Sequence, residues 1–138
     1  IVLLDEPTNG LDIPSKSKFR KILASALTED RTIIISTHQA RDLENLIDPV
    51  IILDSGQIIF QEEMATITQK LAVRLVHEKP RGNQCIYYEK IMGGYCIVTE
   101  NQDDMETRVD LEVLFNTVIN QTDRILPLFE SAHPRSVS

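Results

Sequence analysis

The 138-residue sequence predicts an α/β chain: a short series of parallel strands and covering helices, followed by a small α+β module. Three observations carry this. IVLLD and RTIIIS are short apolar runs that end in turn or polar residues, as strands covered on both faces do. Between them, Phe19, Ile22, Leu23, Ala26 and Leu27 recur at helical spacing. Past residue 71 the rhythm changes to three strand-like stretches and a final helix.

Taken in order, residues 1–5 read as a strand buried on both faces, and DEPTNG as a turn built on Pro7 and Asn9-Gly10. Pro14 suits the first turn of a helix over residues 15–29. Lys16, Lys18, Arg20 and Lys21 give that helix a solvated face. Residues 31–36 form the second strand, and THQARDLENL reads as a short helix with Leu43 and Leu46 on one side. Strand, helix, strand, helix implies a parallel sheet with right-handed crossovers. PVIILD and QIIFQE are strands joined at Ser55-Gly56, and a helix covers residues 63–71.

AVRLVHE, QCIYYEK and YCIVTE are the strands of the second module, and DLEVLFNTVINQ its helix. Asp110 is the expected N-cap, with Leu111, Leu114, Phe115, Val118 and Ile119 on the buried face. Gly93-Gly94 marks a turn with two possible registers. Met92 pairs with Tyr95 and Cys96 faces Ile91, or the strands slip so that Lys90 pairs with Tyr95 and Cys96 faces Glu89. Neither brings Cys85 opposite Cys96, so two free thiols are expected. The organisation is therefore residues 1–71, a module over 72–130, and a loose tail over 131–138.

Composition narrows the function classes. Hydrophobic residues make up 42% and charged ones 25%, as in folded globular chains. The net charge of −7 is spread evenly, with 11 acidic and 7 basic side chains in residues 1–71 and 10 and 7 in the remainder. No basic stripe exists to meet nucleic-acid phosphates or an anionic membrane. The apolar runs fall far short of the roughly 20 residues that span a bilayer. His77, Arg81, His133 and Cys96 lack metal-ligand spacing, and Asp103, Asp104 and Glu106 read as a solvated acidic loop without the glycine a calcium loop needs.

Asp5 ends the first strand, where open α/β sheets present ligands, and a carboxylate there can hold Mg²⁺. Glu6 follows, placed to orient or deprotonate a water attacking a terminal phosphate. The second strand ends in Ser36-Thr37-His38, so His38 emerges on the same sheet edge and can hydrogen-bond a phosphate. Each residue alone is more simply a turn or surface group.

Their order is more informative. IVLLDE resembles the Walker B strand and catalytic glutamate of the ATP-binding cassette (ABC) ATPases, NGLD their D-loop and STH their histidine switch. DPVIILDSGQIIFQE is similar to the strand pair that follows in transporter subunits, and the resemblance is specific to about residue 65. It implies a partial P-loop-type parallel sheet, with Asp5 helping to hold Mg²⁺, Glu6 as general base and His38 on the γ-phosphate. It places Asn9, Gly10, Leu11 and Asp12 along the interface of a nucleotide-binding dimer, although Gly10 and Asp12 also suit a plain turn and helix start.

The family's phosphate cradle, GxxxxGK[ST], is absent from the sequence, as are its glutamine loop and LSGGQ-type signature. The resemblance thus implies the C-terminal part of a longer ATP-binding subunit. In full length it would use ATP and Mg²⁺, pair with a second ATP-binding subunit and with transmembrane subunits, and sit at the cytoplasmic face of the membrane. This segment alone is expected to be inactive, to bind no cofactor and to self-associate through the sheet edge it exposes. Two other readings are a non-catalytic interaction or regulatory module, and an ABC ATPase of DNA repair or translation, which the even charge disfavours.

Overall fold

The computed structural model describes residues 1–28, 30–43, 46–102 and 107–130. It contains α-helices and small sheets of both orientations, an α/β chain as expected. Two compact units divide at Ile47 and Asp48.

In the first unit, β1 (Val2–Asp5) and β2 (Ile33–Ser36) form a parallel pair, joined through α1 (Ile13–Ala26). The register runs from Val2 opposite Ile33 to Asp5 opposite Ser36. Asp12 caps α1 by accepting from Ser15 N–H at 2.8 Å, and Pro14 occupies the first turn. The expected burial of β1 does not hold. Leu3 is 73% exposed and Val2 44%, because among the described residues this sheet has only two strands. On α1 only Leu23 is buried; Ile22 and the C-cap Leu27 lie exposed. The short helix expected after His38 is a single 3₁₀ turn over Ala40–Asp42, Glu44 and Asn45 lying outside the described residues.

The second unit begins with the hairpin β3 (Val50–Asp54) and β4 (Gln57–Glu62), closed by Ser55 and Gly56 at φ +49° and +79°. Positive φ at both central positions gives the turn the twist its strands need. α2 (Met64–Lys70) then passes without a break into β5 (Leu71–Val76). β5, β7 (Gly94–Glu100) and β6 (Cys85–Ile91) make an antiparallel sheet in the order β5-β7-β6.

The slipped register is the one adopted: Lys90 pairs with Tyr95 and Glu89 with Cys96. It puts Met92 and Gly93 in the turn, with Gly93 at φ +88°. A Cβ on Gly94 would stand 2.2 Å from the Val76 carbonyl oxygen, so only glycine lets β7 approach β5 there. Cys85 pairs with Thr99, and both cysteines are free thiols, as expected.

α3 (Leu111–Asn120) starts at Asp110, whose carboxylate accepts from the N–H groups of Glu112 and Val113. Its buried face is turned from the expected one. Leu111, Leu114 and Val118 are buried, but Val113 and Thr117 accompany them while Phe115 and Ile119 are exposed. Thr117 tolerates burial by donating its hydroxyl to the Val113 carbonyl at 2.7 Å.

α4 (Thr122–Glu130), which the sequence reading left unassigned, binds the unit together. Phe129 meets Phe60 edge to face at 5.0 Å, and Lys70 Nζ donates to the Leu128 carbonyl. β4 and α2 therefore pack with the C-terminal elements. The acidic cluster at 103–106, His133 and the tail at 131–138 lie outside the described residues.

Candidate functional site

The β1–β2 register decides which side chains meet. With Asp5 opposite Ser36, the residues after each strand leave the same edge together. Ser36 donates its hydroxyl to Asp5 Oδ1. Glu6 N–H continues the ladder to the Ser36 carbonyl at 2.8 Å, although Glu6 has left β conformation and sits at φ +44°. A non-glycine residue there is strained, by about 1–3 kcal/mol, and such residues concentrate at functional sites.

The Glu6 carboxylate is enclosed by the STH segment. Oε1 accepts from His38 Nδ1 at 2.6 Å and from His38 N–H at 3.0 Å, and Oε2 accepts from the Thr37 hydroxyl at 3.1 Å. Because an ionised carboxylate only accepts, Nδ1 is the protonated nitrogen of the ring and Nε2 is the one left for a further partner. The His38 side chain is 68% exposed and that of Glu6 31%. The His38 ring, followed by its backbone N–H and Thr37, holds the Glu6 carboxyl below the usual carboxylate range, overcoming a smaller opposing effect of desolvation.

The turn after Glu6 is stitched by Asn9 N–H on the Glu6 carbonyl and Leu11 N–H on the Thr8 carbonyl. Gly10 supplies a φ of +73°. Asn9, Gly10, Leu11 and Asp12 are exposed. Asp12 is lowered in pKa by the hydrogen bonds of Ser15 that make it the helix cap.

Asp5, Glu6 and His38 thus converge, whereas Asn9–Asp12 form an adjoining surface turn. Sequence reasoning missed the partners: Ser36 on Asp5, Thr37 on Glu6, and Lys16 and Arg20, which leave the expected solvated face for residues 39 and 42. The signal available was the alignment of DE with STH at the ends of two paired strands. Asp5 fits a hard cation: it offers an exposed oxygen ligand, and Mg²⁺ commonly takes one or two carboxylates and keeps waters or phosphate oxygens otherwise.

In the second unit a cleft of about 340 Å³ opens between residues including Arg74, Asn83, Thr99, Glu100 and Arg124. Arg124 is engaged there structurally, donating to the carbonyls of Asn83, Cys85 and Ile86 at 2.7, 2.8 and 3.1 Å.

An uncharacterized ABC transporter ATP-binding protein of Methanocaldococcus jannaschii is 35% identical over 120 residues, covering 83% of this chain and 44% of that protein. The likeness supports an ABC ATPase fragment. ABC transporter ATP-binding protein NatA of Bacillus subtilis is 37% identical over 67 residues, 49% of this chain and 27% of its own length. An energy-coupling factor transporter ATP-binding protein, EcfA2 of Streptococcus pyogenes, is 35% identical over 82 residues, 59% of this chain and 29% of its own. No family model matches the chain. The chain spans less than half the length of each of these ABC proteins. An alignment covering 83% of the chain includes most of the residues past 71, so likeness to at least one ABC protein runs well beyond the strand pair where the motifs end.

Proposed function

We propose that this chain is the C-terminal part of the ATP-binding subunit of an ABC transporter, whose full-length protein hydrolyses ATP to drive transport. The observation that carries this is the convergence of Asp5, Glu6 and His38 at one end of the paired strands β1 and β2. The fold is then one flank of a P-loop-type sheet, with residues 1–71 the ATPase portion and 72–130 an accessory module.

Each residue has a chemical task. Asp5, with Ser36 on one oxygen, would hold Mg²⁺, which supplies charge neutralisation on the phosphates. Glu6, ionised at neutral pH, accepts a proton from the attacking water. His38 keeps its Nδ1–H on Glu6, and Nε2, which must also carry a proton to donate, faces the terminal phosphate. Asn9, Gly10, Leu11 and Asp12 lie along the interface with a second ATP-binding subunit. Transmembrane subunits complete the transporter at the cytoplasmic face of the membrane. Among the described residues no helix is long and apolar enough to cross a membrane.

The sequence lacks GxxxxGK[ST], so this segment alone binds Mg-ATP negligibly. Steady-state assays of the full-length protein test the reading. Mg-dependent ATP turnover that Glu6→Gln abolishes is the expected result, and unchanged turnover in Glu6→Gln contradicts it.

A further inference from the structure

Lys16 lies four residues past the Asp12 cap, one turn into α1. Its Nζ stands 2.6 Å from Asp42 Oδ2 and donates to Gln39 Oε1 at 3.1 Å. One turn on, Arg20 Nη1 reaches the Asp42 carbonyl at 3.5 Å. Gln39 and Asp42 bound the 3₁₀ turn that directly follows His38. Gln39 N–H in turn donates to the Thr37 hydroxyl at 2.9 Å, the same hydroxyl that donates to Glu6.

The other end of this arrangement is the turn at residues 9–12. Asp12 closes that turn and caps α1 in one step, so the turn and Lys16 belong to one stiff piece of backbone. Thr8, which enters the turn, is fully buried. Lys16 and Asp42 are themselves largely shielded, with side-chain exposures of 23% and 21%.

We propose that Lys16 and Asp42 are positioning residues for His38: their ion pair ties the segment that follows His38 to the start of α1, so that displacement of the 9–12 turn moves His38 relative to Glu6. The inference rests on the reading of Glu6 and His38 as the hydrolytic pair, and goes beyond it by naming what holds them in register. Ion pairs near a surface add little to global stability. Misplacing a reacting group by about 1 Å, by contrast, costs about a hundredfold in rate. The tie therefore acts on geometry more than on folding.

Two readouts test it. In this chain, Lys16→Met and Asp42→Asn should each speed hydrogen exchange of the His38 amide, which donates to Glu6, by about tenfold, as a locally opened segment would. Exchange at Ile34 and Ile35 in β2 should be unchanged. Exchanging the charges, Lys16→Asp with Asp42→Lys, should restore slow exchange, as should Lys16→Arg alone. In the full-length protein the single variants should lower kcat with KM unchanged, and the exchanged pair should recover it.

Unaltered His38 exchange in both single variants overturns the tie, as does an exchanged pair no better than the singles at equal melting temperature. A His38 exchange response in a full-length protein without any ATP turnover overturns instead the catalytic reading beneath it.

Discussion

Glu6 Oε1 stands 2.6 Å from His38 Nδ1, across the ends of two strands 31 residues apart in their pairing, from Asp5 to Ser36. The contact is possible because Glu6 takes φ +44° while its N–H still reaches the Ser36 carbonyl. The site is thus set by backbone pairing first and by side-chain chemistry second.

This relationship makes stability depend on acid. A carboxyl whose folded-state pKa lies below its unfolded value stabilises the fold above the unfolded pKa, and loses that contribution as pH falls through the folded value. Glu6 is lowered, chiefly by His38, and Asp42 in the same direction, chiefly by Lys16. Denaturation of this chain should therefore become easier below about pH 4.3, the ordinary glutamate range. Glu6→Gln should flatten that acid limb. An acid limb identical in the variant would contradict the assignment.

Gly94 gives the sharpest steric prediction. A methyl group there meets the Val76 carbonyl oxygen at 2.2 Å, and backbone of β5 cannot yield without losing its pairing with β7. Gly94→Ala should cost about 2 kcal/mol or more in denaturant unfolding. The neighbouring Gly93, at φ +88° with open space around it, should tolerate Asn far better.

Arg124 is predicted to be a structural clamp. Its guanidinium gathers three carbonyls from residues 83, 85 and 86, and so holds the start of β6 to α4. Arg124→Gln should destabilise the second unit by about 1–2 kcal/mol. Arg124→Lys should recover little, because a point ammonium cannot reproduce a planar fork. Full recovery by lysine in thermal unfolding would show that charge alone matters.

Much of this was legible in the sequence, for local reasons. The strand ends DE and STH, the Asp12 and Asp110 caps and the Ser55-Gly56 turn are decided by residues near one another in the chain. What escaped depends on tertiary neighbours. Gly94 answers to β5, which approaches from the far side of β7 and leaves no room for a Cβ. The α3 face turns so that Val113 and Thr117 are covered instead of Phe115 and Ile119. α4 carries Pro127, which reads as a breaker yet is held by packing at Ile125 and Phe129. At the site, Asp5, Glu6 and His38 converge because they end two paired strands, and the contacts of Ser36, Thr37 and Lys16 arise only through that parallel pairing.

The exposed sheet predicts association. Leu3 and Ile34 are directly opposed on β1 and β2 and are 73% and 51% exposed. Contiguous apolar surface next to unpaired strand edges recruits further chains. Light scattering of this chain should report a dimer or larger species at high concentration, and Leu3→Lys should shift it toward monomer. A clean monomer for the unaltered chain would contradict the prediction.

In the proposed function, Glu6 performs the chemical step of ATP hydrolysis in the full-length protein with His38 beside it. The most direct test is a single-turnover quench of the full-length protein with Mg-ATP in excess enzyme, comparing wild type with Glu6→Gln. The variant should bind ATP as tightly as wild type and hold it intact, with product formation at least about a hundredfold slower. Product formed at the wild-type rate by Glu6→Gln would show that Glu6 is not the general base.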